Sequence, residues 1–232
     1  MKAMQADLDL ALEALRSAES LDYDFWSREA ASVGAAPIKR WINNYMFGIC
    51  LIRHYLDYEK ALEAFDRALR VTDDADATMH IMREKARVLM IRPGKHTDEA
   101  LLHIDRAIAL VGSGDFSMLG YCYGLRASII ATSKYASAHS DIWHIGHFIG
   151  EFGRAVSLTR AGENRALELE VLLTFIQQLV LVEQFELAYT FIPRVFDLVL
   201  LVGTEEEQKE FMALSIKASR GQRLLATNPS RN

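Results

Sequence analysis

YLDYEKALEAFDRALRVTDD occupies residues 55–74, and its reading decides the fold. Its apolar positions, Ala61, Leu62, Phe65, Ala68 and Leu69, recur at steps of three and four. That spacing gathers them on one side of a helix and leaves Glu59, Lys60, Glu63, Asp66, Arg67 and Arg70 on the other. The order small, aromatic, small (Ala61, Phe65, Ala68) says more than amphipathicity alone. Two alanines beside a bulky ring let a neighbouring helix approach closely and hold the ring between the two.

The device returns along the chain. DEALLHIDRAIALVG repeats it with Ala100, Ile104 and Ala107, and EQFELAYTFIPRVF with Ala188, Ile192 and Val195. Ala100 follows Ala61 by 39 residues, and the 88 residues from Ala100 to Ala188 make two spans of 44. A copy is therefore expected near residue 144, where DIWHIGHFIGEFGRAVSL keeps Phe148 but has His144 and Glu151 in the small places. Each copy follows another helical stretch across a connection as short as LDYEK or LVEQFE, which forces antiparallel neighbours. Start signals sit where such helices need them: Pro37, Asp115, Asn164, and a capping box of Thr204 with Glu207. Pro193 falls inside an apolar helix and predicts a bend, at a cost of about 3 kcal/mol.

YMFGICLIRHYLDYEKALEAFDRALRVTD resembles a tetratricopeptide repeat (TPR), with Tyr58, Ala61, Phe65 and Ala68 on that family's signature positions. Tyr45 and Gly48 lie near, not on, the aromatic and small positions of its first helix. The likeness is good over residues 43–74, fair over 76–112 and only topological over 115–203. Spacings of 39 and 44 exceed the family's repeat length of about 34, and Asp73 and Gly112 stand where its repeat-ending prolines would be. The resemblance implies an all-α solenoid of about ten helices in antiparallel hairpins, closed by a C-terminal capping helix. One domain over residues 1–226 is expected, with 227–232 as a tail and residues 1–34 as a leading hairpin closed by Gly34.

Composition agrees. The chain has only 4 prolines and 13 glycines in 232 residues, too few turn formers for a strand-rich fold. A net charge of −5, with acids and bases spread evenly, argues against a nucleic-acid partner, which needs a basic face. The longest charge-free apolar run of the C-terminal half, residues 171–182, is 12 long, short of the roughly 20 that a membrane span requires. No membrane is implied, and a soluble cytoplasmic protein is expected. Cys50 and Cys122 sit inside apolar helical patterns and read as small buried hydrophobes.

The sharpest constellation for chemistry is HSDIWHIGHFIGE, where Asp141, His144, His147 and Glu151 share one helix face. Such spacing can hold a divalent ion, giving the alternative reading of a metal-binding protein or metal-dependent hydrolase. One helix cannot surround an ion without donors from elsewhere, and Ile145, Phe148, Ile149 and Phe152 form the core stripe that leaves these groups on the solvated side. Gly146, Gly150 and Gly153 on the same stretch suggest close helix packing. RPGKHTDEA has a Gly-Lys without the second glycine or the strand of a phosphate loop, and reads as a turn. No serine has an orienting base and acid nearby in sequence, so no catalytic residue and no cofactor are assigned.

The remaining candidate is a surface. In stacked hairpins the first helix of each pair lines a concave groove. The candidate lining is Asn43, Met46 and Arg53, then His80, Arg83 and Arg87, then Tyr121. Some TPR proteins hold a peptide's terminal carboxylate with lysine, arginine and asparagine, a set that Asn43, Arg83 and Arg87 resemble in type. The resemblance implies a non-enzymatic protein- or peptide-binding module, its partner acidic or C-terminal. Against that stands the reading that Arg83 and Arg87 merely pair with Glu84, Asp76 or neighbouring helices. The apolar segment FIPRVFDLVLLV exceeds what one helix face buries, and suggests a homodimer through the C-terminal helices.

Overall fold

The computed structural model describes residues 37–94, 96–135 and 142–227, with Arg28 and Ala31. Side chains at 37–40, 133–135, 142–145, 147 and 224–227 lie outside that description. All regular structure among the described residues is helical, and the chain divides into two compact units between Leu110 and Val111. The first contains α1 (Pro37–Cys50), which runs into a π-helical turn (Leu51–Tyr55), then α2 (Tyr58–Leu69), α3 (Ala75–Ile91) and α4 (Thr97–Leu110). The second contains α5 (Phe116–Tyr135), α6 (Ile142–Ala161), α7 (Arg165–Leu181), α8 (Phe185–Val202) and α9 (Glu205–Thr227).

Local chemistry sets the boundaries. Asp57, Asp74, Asp115 and Asn164 each accept a backbone N–H from three residues on, at 3.2, 2.8, 2.9 and 3.1 Å, satisfying donors that a helix start leaves unpaired. The expected capping box forms: Thr204 N donates to Glu207 Oε2 at 2.7 Å, and Glu207 N donates back to Thr204 Oγ1 at 3.2 Å. The turn after α3 carries Gly94 at φ +121°, a conformation that side chains resist. No described helix is long and apolar enough to cross a membrane.

In the first unit the opening stretch behaves as its pattern requires. Ala61, Phe65 and Ala68 of α2 are fully buried, as are Ala100, Ile104 and Ala107 of α4. Phe65 packs against Tyr45 with ring centroids 5.8 Å apart, and against Gly48, where an added Cβ would lie 2.7 Å from the ring. Glycine at 48 is thus what lets α1 close onto α2. Packing proceeds between sequence neighbours, α1 on α2, α2 on α3 and α3 on α4. Polar ties reinforce it: Arg67 Nε donates to Asn44 Oδ1 at 3.0 Å, and Lys85 Nζ to Asp66 Oδ1 at 2.6 Å.

In the second unit each helix meets its successor, and α5 also meets α7, as α7 meets α9. The core is aromatic, with Phe152 of α6 stacked on Phe175 of α7 at 4.7 Å and 8° between planes. In the copy expected near residue 144, Phe148 is buried and Glu151 half-buried, while the side chain of His144 lies outside the described residues. Phe152, Ala155, Val156 and Thr159 continue the buried side of α6. Phe175 meets Phe148 edge-on at 5.9 Å. In the last copy Ala188 and Val195 are buried and Ile192 is partly so.

The glycine expectation is corrected. A Cβ at Gly146, Gly150 or Gly153 would meet nothing within 4 Å among the described residues. The close approach belongs to α5, where a Cβ at Gly120 would stand 2.6 Å from the Ala155 carbonyl oxygen on α6. Helix α8 continues through Pro193, whose missing N–H leaves the Tyr189 carbonyl without its usual partner. Cys50 and Cys122 are buried, as their apolar settings suggested.

Candidate functional site

A run of polar and charged residues on α3, His80, Arg83, Glu84 and Lys85, is buried, with Tyr45 of α1 beside it. Arg83 donates to Glu84 Oε1 through Nη2 at 2.8 Å and Nε at 3.2 Å, and Arg87 Nη2 lies 2.5 Å from Glu84 Oε2. One carboxylate therefore grips two guanidiniums. Burial alone would raise the Glu84 pKa, but Arg87 and Arg83 outweigh it and hold the carboxyl below its usual range. Glu84 and Arg83 are both nearly covered, whereas the Arg87 side chain is 32% exposed. The arrangement confirms the pairing with Glu84 that the residue spacing offered as the plainer reading.

His80, one turn before Glu84, is buried, and its Nδ1 meets no hydrogen-bond partner among the described residues. Burial first, and the nearby Arg83 charge second, push its pKa down to about 3. A histidine so placed is neutral at physiological pH and too weakly basic for proton transfer there. Tyr45 of α1 completes the cluster. Its hydroxyl is raised well above the ordinary tyrosine range by burial and by Glu84, so it too stays neutral. With Arg83 and Arg87 charged, Glu84 ionised and His80 neutral, these groups carry one net positive charge, and Arg87 presents it at the surface.

The other expected lining residues are distributed as follows. Met46 is wholly buried and Asn43 nearly so, which makes them interior residues of the first unit. The residue types misled here: polar and arginine side chains on an α3 face read as solvated, yet His80 and Arg83 are buried. Arg53, in the π-helical turn, is exposed. Tyr121 belongs to the second unit, where it is largely buried and donates to Glu170 Oε1 at 2.6 Å. The structure brings together Tyr45, His80, Arg83, Glu84 and Arg87, of which the sequence had singled out three as lining.

Of the candidate metal ligands, Asp141 and the side chains of His144 and His147 lie outside the described residues. Glu151 is half-buried and accepts from Arg126 Nη1 at 3.2 Å, an ion pair between α6 and α5. Among the described residues no group of three His, Cys, Asp or Glu is placed to hold a metal.

One surface feature escaped the sequence reading. After the π-helical turn, Leu56 adopts a left-handed backbone at φ 51°, and Tyr55 and Leu56 stand exposed. They border an open depression of about 520 Å³ with Asp57, Tyr58, Glu59, Arg92 and Pro93, across which Arg92 and Glu59 form an ion pair. π-Helical turns and left-handed non-glycine residues cost energy and concentrate at working surfaces. The available signal was two apolar residues in a connection, off the helical period. No protein-family model matches this chain, and no curated protein sequence does either.

Proposed function

We propose that the chain is a non-enzymatic protein- or peptide-binding module built as a TPR-like row of helical hairpins, and that it takes an acidic segment or a C-terminus. The observation that carries this reading is the double grip of Glu84 on Arg83 and Arg87. A guanidinium held by a buried carboxylate is rigid before any partner arrives, so less side-chain entropy is lost when it meets an anion. Arg87 then supplies the directed contact and Arg53 a second, longer-range attraction. Tyr55 and Leu56 offer the apolar surface that a partner's side chain can cover. The side-by-side contact of α5 with α7 and of α7 with α9 supports the hairpin-row architecture within the second unit.

The test is a fluorescence-anisotropy titration of the full chain with a panel of labelled peptides ending in acidic residues, each with a carboxylate or an amide terminus. Binding should require the acidic end, and Arg53→Gln with Arg87→Gln should weaken it by about tenfold, or 1.4 kcal/mol. The reading fails if no peptide of the panel binds, or if the double variant, shown by its circular dichroism to be folded, binds unchanged.

A further inference from the structure

We draw no further inference here: the strongest candidate, the exposed apolar stripe of Tyr189, Phe196 and Leu200 along α8, carries nothing because nothing among the described residues shows what covers it.

Discussion

Arg194 of α8 donates to both oxygens of Glu168 on α7, from Nη2 to Oε2 at 2.6 Å and from Nε to Oε1 at 3.0 Å. Arg160 of α6 reaches Oε1 as well, at 3.1 Å. One nearly covered carboxylate thus ties three consecutive helices. Burial alone would raise its pKa, but the hydrogen bonds from Arg194 and Arg160 more than offset that and keep it ionised below the usual carboxylate range.

Glu168→Gln should therefore destabilise the second unit. It keeps the shape and removes the charge from two charge-assisted pairs, a loss of about 1.5–3 kcal/mol. The value stays below that of a wholly buried pair, because Arg160 and Arg194 keep 57% and 41% of their side chains in water and can be rehydrated. Urea unfolding against an exposed control, Glu186→Gln, checks it. A difference under about 0.5 kcal/mol would mean that the bridge is not a structural tie.

Acid should act first through the buried imidazoles. His80 has an ordinary value of 6.5 and a folded value of about 3, so the unfolded chain takes up a proton that the folded chain refuses. The associated stability is fully present above pH 6.5 and drains as pH falls from there toward 3, by up to about 1.4 kcal/mol per pH unit. His103, held below its ordinary value chiefly by burial, acts in the same direction. Urea midpoints of the wild type should fall between about pH 7 and pH 5, and those of His80→Gln with His103→Gln should stay level. An equally steep fall in the double variant would place the acid sensitivity elsewhere.

Two glycine substitutions should have opposite signs. Gly120→Ala drives a methyl into the α6 backbone, 2.6 Å from the Ala155 carbonyl oxygen, and should cost about 1–3 kcal/mol. Gly150→Ala enters open space on an exposed helical turn and should raise stability by up to about 1 kcal/mol. Thermal melts of the two variants decide the matter. Equal effects would show that α5 does not approach α6 as closely as its glycine implies.

Helix starts were legible because their causes are local. Asp115, Asn164 and the Thr204–Glu207 box act on backbone donors within three residues, and each caps where the sequence places it. The burial of Ala61, Phe65 and Ala68 was legible for a related reason, since one amphipathic period marks which side must leave water. The pairing of Phe148 with Phe175, more than twenty residues on, was not.

Local rules of this kind let the amino-acid order declare an all-helical chain, its caps and the inward side of α2, because each depends on neighbours within a turn or two. Burial of charge had to wait for the packing. Arg83 and His80 carry the residue types of a wetted face, and only the tertiary packing buries them and sets Glu84 between Arg83 and Arg87. The same holds for glycine: Gly120 and Gly150 read alike in the chain, and only the helix opposite distinguishes a contact from a gap. Periodicity states which side of a helix seeks cover, whereas desolvation and close contact depend on what arrives to cover it.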